Sequence, residues 1–162
     1  MSEKLPKRKH PRLKEADYSE NGAYFITICT QDRRNILSRV VGRGLAPAAT
    51  ELTECGKIAE MELLALEQRY PSVKVAQYRI MPNHIHILFL LDNGAAGASP
   101  RPTIIDVVCT FKSLTTRRCG IGKLFQTSFY DHVIRNQADY DEVCRYIENN
   151  PAQWEQDELY TN

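Results

Sequence analysis

Several common signatures are missing from this chain of 162 residues, and each absence removes a class of protein. The five cysteines, Cys29, Cys55, Cys109, Cys119 and Cys144, are widely scattered and contain no Cys-x-x-Cys pair. Neither a disulfide framework nor a zinc knuckle is indicated, and small buried thiols in a reducing, cytoplasmic setting are expected instead. No stretch reaches the roughly 18 to 20 apolar residues of a membrane span, and the opening "MSEKLPKRKHPRLK" lacks the apolar core of a signal peptide, so a soluble protein without a membrane partner is expected. There is no internal repeat, and no glycine-aromatic string of the kind that marks an RRM-type RNA binder. Net charge is also small, formally +1, which alone points to no polyanion.

What is present fits one ordinary domain. Apolar residues make up 43% and charged residues 25%, close to an average globular protein, and the length suffices to bury a core without disulfides. Charge is unevenly placed. Lys4, Lys7, Arg8, Lys9, Arg12 and Lys14 make residues 1–18 a basic arm, able to bind a polyanion through residues such as Arg8 and Arg12, or else a solvated terminus. Residues 151–162 read as a short acidic tail.

Periodicity gives the elements. "AYFITICT" is a β-rich run bounded by turn formers, and "SRVVGRGLAPAAT" reads as a loop. Between Leu52 and Tyr70 apolar residues recur every three or four positions, the stripe of an amphipathic helix that Pro71 stops. "VKVAQYRIM" and "HIHILFLL", separated by Pro82 and Asn83, predict an antiparallel pair. Thr103 is a candidate N-cap for a helix through "IIDVVCTFKSLTTRR", "SFYDHVIR" reads as a strand, and Asn136 with Asp139 resembles a capping pair for a last helix ending at Asn150 before Pro151. The order β-α-β-β-α-β-α suggests an α+β fold, a ferredoxin-like (split βαβ) antiparallel sheet with helices packed on one face.

Two residues stand out in the apolar "YRIMPNHIHILFLL". On a strand His84 and His86 project from one face while Ile85 and Ile87 project from the other, so the two imidazoles can share a cation; equally, both can be ordinary hydrogen-bonded histidines. On the last helix Tyr140, Val143, Cys144 and Ile147 form the buried stripe, with Tyr146 and Asn150 together on its edge. Asn150 can offer an amide oxygen as third ligand, and Tyr146 a phenol aligned for attack on a metal-polarised phosphate. Taken singly, Tyr146 reads as a packing aromatic and Asn150 as a helix cap. Tyr130 and Tyr140 are weaker candidate nucleophiles, and His132 is either a neighbour of the metal ligands or a plain strand residue. Lys112, Arg117 and Arg118 either contact DNA phosphates or form a solvated helix face.

"MPNHIHIL", the basic "FKSLTTRR" helix, "FYDHVIRNQADY" and "YIENNPAQW", in that order, together with "RLKEADYSENGAYFITICTQDRR", resemble the single-tyrosine HUH transposases, in particular the REP-associated tyrosine transposase group. The resemblance runs over nearly the whole chain. It implies that His84 and His86 are the metal-binding pair, that Tyr146 attacks the scissile phosphate of single-stranded DNA at hairpin-bearing repeats, and that Asn150 is the third ligand. It further implies Mg2+ or Mn2+ as the ion, where two imidazoles alone would favour softer metals, and a tyrosine helix that completes its own subunit's site or is exchanged within a homodimer. The rival readings are a catalytically inactive, domesticated nucleic-acid-binding module and a hydrolytic metal phosphoesterase in which water replaces Tyr146.

Overall fold

A computed structural model of the chain describes residues 18–42, 48–94 and 102–161. Arg8, Arg12 and the rest of the basic arm up to residue 17 lie outside the described residues. Six strands and three helices are present among those described: β1 (Gly22–Cys29), β2 (Ser38–Val41), β3 (Ala49–Leu52), α1 (Glu54–Arg69), β4 (Val73–Ile80), β5 (His84–Leu91), α2 (Ile104–Cys119), β6 (Tyr130–Val133) and α3 (Gln137–Asn149). The main sheet has the order β4-β5-β1-β6 and every neighbouring pair is antiparallel. With β5 inserted between the parallel strands β1 and β4, this is the split βαβ arrangement expected from the sequence.

The stretch expected to be a loop after β1 is instead a hairpin, β2 with β3, paired from Ser38–Leu52 to Val41–Ala49. Its sequence carries none of the two-residue Asn-Gly type turns that announce a hairpin. It is tied down from outside, as Leu37 N bonds to Pro82 O at 3.0 Å and Ser38 Oγ donates to Ile80 O at 2.8 Å. Gly56, in the first turn of α1, lies so close to Leu37 that a Cβ there would strike the Leu37 carbonyl oxygen. Only glycine lets the helix start against that strand.

The helices begin where their caps dictate. Thr53 accepts from Gly56 N to open α1, Thr103 and Asp106 form a reciprocal capping box on α2, and Asn136 accepts from Asp139 N at 2.9 Å to open α3. Gly120, left-handed at φ 67°, closes α2. The last helix ends one residue earlier than expected, and Asn150 is helical (φ −57°, ψ −43°) although a proline follows. The reason is that Pro151 opens a 3-10 turn, Pro151–Gln156, where its missing N–H leaves no bond unmade.

The two sides of the sheet are covered differently. Tyr24, Ile26 and Ile28 of β1 and Ile85, Ile87 and Phe89 of β5 point to one side, where α1 (Ala59, Leu63, Leu66) and α2 (Ile104, Val107, Val108, Phe111) bury them in the main core. The helices that link the strands thus share one face, as expected. The last helix crosses the opposite face, where Val143 and Ile147 pack on Phe25 and Leu88. The strand period of two then decides what else lies under α3: Thr27 of β1 and His84 and His86 of β5.

Candidate active site

Two histidines in a strand buried on both sides need partners, and each has one for its Nδ1. The amide nitrogen of Asn83 donates to Leu159 O at 2.6 Å, which leaves Asn83 Oδ1 to accept the Nδ1–H of His84 at 2.8 Å. Thr27 Oγ1 lies 2.8 Å from Nδ1 of His86. With the outer nitrogens engaged, Nε2 of each ring turns inward, the arrangement that orients histidines as metal ligands. Both rings are essentially inaccessible, with centroids 4.5 Å apart.

Acceptors gather around the inner nitrogen of His84, whose proton is already placed on Nδ1 toward Asn83. Nε2 of His84 is 3.3 Å from Asn150 Oδ1 and 3.8 Å from Asp157 Oδ2. The amide of Asn150 is held in that orientation because its Nδ2 donates to Asp157 Oδ2 at 2.9 Å. Nε2 of His86 is buried with no hydrogen-bond partner at all. One ligand atom from each of His84, His86 and Asp157 lies within 4.8 Å of the others. Lone pairs that converge with no hydrogen between them are costly when buried unless a cation joins them. This donor set, two imidazoles, a carboxylate and an amide oxygen, can hold a divalent ion.

Electrostatics agree with neutral, ligating imidazoles. Burial lowers the His84 pKa to about 4, with the Asp157 carboxylate and the Asn150 amide opposing that shift. Burial, and then the neighbouring His84, hold His86 well below the ordinary histidine range. The rings are therefore unprotonated at neutral pH and need lose no proton to bind metal.

Tyr146 completes the cluster. Its ring stands edge-on to His86, centroids 5.2 Å apart, and edge-on to Phe25 at 6.1 Å. Burial, followed by the Asp157 and Glu158 carboxylates, pushes its phenol above the ordinary tyrosine range. The helix that carries it is anchored at several points: Gln77 Nε2 donates to Cys144 O at 3.3 Å, and His132 Nε2 lies 2.8 Å from Asp139 Oδ1. His132 thus ties the start of α3 to β6. Tyr140 packs on the Phe25 cluster, and Tyr130 is 45% exposed on β6, so neither joins the site.

The structure brings His84, His86, Tyr146 and Asn150 together, all from a single chain. The sequence reading missed Asp157, counted there as part of the acidic tail. Those residues fold back over the site. Trp154 packs on His84, centroids 5.8 Å apart, Tyr160 packs on Trp154, and Thr161 Oγ1 donates to Arg33 O at 3.2 Å. A regular alternation or helical stripe would have flagged such a contact in advance, but Asp157 belongs to neither. The basic candidates of α2 lie on the other side of the sheet. Lys112 Nζ donates to Gln126 O (2.6 Å) and Thr127 O (2.9 Å), and Arg118 pairs with the buried Glu62 at 2.7 Å. Arg117 makes neither hydrogen bond nor ion pair with any described residue and borders a cleft.

No family model matches the sequence. An uncharacterized protein of Haemophilus influenzae is 28% identical over 174 residues, covering 96% of this chain and 94% of that protein. The REP-associated tyrosine transposase of Escherichia coli K12 is 25% identical over 135 residues, covering 83% of this chain and 69% of that protein. The chain is homologous to the REP-associated tyrosine transposases. In fold it matches a solved REP-associated tyrosine transposase bound to a REP hairpin, with a TM-score of 0.61 and 22% identity over 93% of this chain and 74% of that one. This homology supports a transposase-like, DNA-processing function. Among the described residues no helix is long and apolar enough to cross a membrane.

Proposed function

We propose that the chain is a metal-dependent endonuclease and strand-transferase for single-stranded DNA, acting at hairpin-bearing repeats through a 5′-phosphotyrosine intermediate. The observation that carries this reading is the convergence of His84, His86, Asn150 and Asp157 lone pairs beside the ring of Tyr146. These four residues would hold one Mg2+ or Mn2+. When bound, the ion would supply positive charge to a non-bridging phosphate oxygen. The Asp157 carboxylate makes the donor set harder than two imidazoles alone, which favours these ions over softer ones.

The chain's own residues account for the remaining chemistry. The Tyr146 oxygen attacks phosphorus, the bond from phosphorus to the 3′ oxygen breaks, and the phenol proton balances the 3′-OH that leaves. One phosphodiester replaces another, so no external energy source is required, and attack by a 3′-OH on the tyrosine ester rejoins DNA. Asp157 has two roles in this scheme. It turns the Asn150 amide oxygen toward His84, and its charge opposes ionisation of Tyr146 until a cation shares that charge. Burial of both histidines keeps the ligand nitrogens unprotonated.

A hairpin-bearing substrate is supported by the homology to REP-associated transposases and by the similarly folded relative solved on a REP hairpin. The test is to incubate the protein with labelled single-stranded DNA tiled from the flanks of its own gene, with Mn2+ or Mg2+, and to separate the products on a denaturing protein gel. A covalent band is expected that disappears with chelator and in Tyr146→Phe. Turnover without a covalent band would assign the attack to water. Binding without cleavage would make the chain a nucleic-acid-binding module.

A further inference from the structure

Behind the sheet, α2 and the segment 123–127 border an open, shallow cleft of about 350 Å3 whose lining includes Lys112, Ser113, Thr116, Arg117, Lys123 and Thr127 beside Phe125 and Gln126. Three of these side chains are cationic, three offer hydroxyls, and no carboxylate lines the cleft. Ser113, Thr116 and Arg117 are spaced by three and four positions on α2 and so share one face of that helix. The cleft is also fixed in shape. Lys112 Nζ clamps the Gln126 and Thr127 carbonyls, and Lys123 Nζ donates to Thr127 Oγ1 at 2.9 Å. Within this cleft, the Arg117 guanidinium has no hydrogen bond or ion pair with any described residue. Its neighbour Arg118, by contrast, is committed to Glu62.

The position of the cleft connects it to the tyrosine site. Segment 123–127 is stitched to the end of β1 by Gln126 N to Cys29 O at 2.9 Å and by Gln31 N to Leu124 O at 2.8 Å, and Cys29 pairs in register with His84. At that same corner, Arg34 donates to Lys123 O at 2.8 Å, and Asp32 and Arg33 both adopt positive φ (59° and 53°). Two consecutive non-glycine residues in that region are uncommon and are held here by the Arg33 carbonyl, which accepts from Thr161. The Arg33 side chain is exposed, with no hydrogen bond or ion pair among the described residues. Arg117 in the α2 cleft and Arg33 at the end of the sheet thus flank the segment that joins the cleft to the tyrosine site.

We infer that this cleft seats a backbone phosphate of the DNA strand, with Arg117 and Lys123 as its ligands, and that Arg33 carries the same strand around the sheet end toward Tyr146. The contact reads phosphate and not base, so it positions the strand without specifying sequence. The inference rests on the single-stranded DNA reading above.

The test measures anisotropy of a labelled hairpin-bearing single strand against salt concentration, alongside the covalent-adduct gel. Arg117→Ala/Lys123→Ala is compared with wild type and with Lys57→Ala/Lys74→Ala, which removes equal charge from exposed positions elsewhere. Losing the contact to that phosphate should flatten the plot of log affinity against log salt by about 0.7, roughly a 5-fold loss near 0.1 M salt, on all sequences alike. The control double variant should keep the wild-type slope. Arg117→Ala, which removes no internal bond, should give about half of the slope change with an unaltered melting temperature. If the cleft variants match the control while wild type still forms its adduct, the cleft inference is wrong and the enzymatic reading stands. If wild type neither binds the strand nor forms an adduct, both fall together.

Discussion

The two faces of one sheet do opposite things in this protein. Toward α1 and α2, β1 and β5 contribute only apolar side chains to a core of 21 buried residues, whereas the face under α3 has a buried cluster of four and places Thr27, His84 and His86 beside it. The first face supplies the apolar burial that holds the fold together. The second spends burial on groups that water would otherwise solvate, and this is what keeps the histidines as neutral imidazoles. A domain can carry such a cost on one side because the other side is so thoroughly packed. Because strand side chains alternate, a single step along β5, from His86 to Ile87, crosses from one regime to the other.

That step gives the largest expected contrast. Ile87→Ala should cost roughly 3 to 4 kcal/mol in urea unfolding, as for other fully buried aliphatic deletions. His86→Ala should leave metal-free stability within about 1 kcal/mol, since the ring it removes has an unsatisfied nitrogen. It should instead abolish the stabilisation that Mn2+ gives the wild type, about 2.7 kcal/mol at a hundredfold excess over Kd. Equal losses in the two variants would mean that the histidine face is simply more core.

Acid should act on the second face. Folded His84 titrates at about 4 against an ordinary 6.5, and burial also holds His86 well below the ordinary range, so below about pH 6.5 the unfolded chain takes up protons that the folded one refuses. Stability is full above that pH and is lost as pH falls toward 4, by on the order of 3 kcal/mol from His84. Urea titrations at several pH values should show this slope in wild type, and His84→Ala should flatten it. Metal affinity of the folded protein, by the same logic, should hold nearly level from pH 7 to about 5. A steep fall in affinity across that range would show that the histidines are protonated in the fold.

Asp157→Ala should weaken Mn2+ binding in calorimetry by about 10- to 100-fold, since it removes both a carboxylate and the hydrogen bond that orients Asn150. Unchanged affinity would return Asp157 to a role in packing the end of the chain. The smallest effect is expected on the first face: Arg118→Ala should cost about 1 to 2 kcal/mol by leaving buried Glu62 unpaired, discounted because the arginine is half exposed.

Much of this was legible in the sequence, because it rests on local periodicity. His84 and His86 fall two apart on a strand, Tyr146 and Asn150 four apart on a helix, and Asn136 caps that helix where its spacing to Asp139 suggests. Alternation in β5 even implied that the histidines face away from Ile85 and Ile87. What was not legible depends on contacts distant along the chain. Asp157 reaches His84 across more than seventy positions, and Glu62 claims Arg118 across 56. The β2–β3 hairpin is held by Pro82 and Ile80 and not by its own turn. None of these leaves a mark in a window of ten or twenty residues. The placement of α3 on the face opposite α1 and α2 belongs to the same class, since an amphipathic stripe says that a helix packs but not on which side of a sheet.

The most direct test of the account is to cleave single-stranded hairpin DNA with the wild-type protein, digest the covalent product, and locate the nucleotide-bearing peptide by mass spectrometry. The account predicts a 5′-phosphodeoxynucleotide on Tyr146. Attachment to Tyr130 or Tyr140, or efficient cleavage with no attached nucleotide, would contradict it.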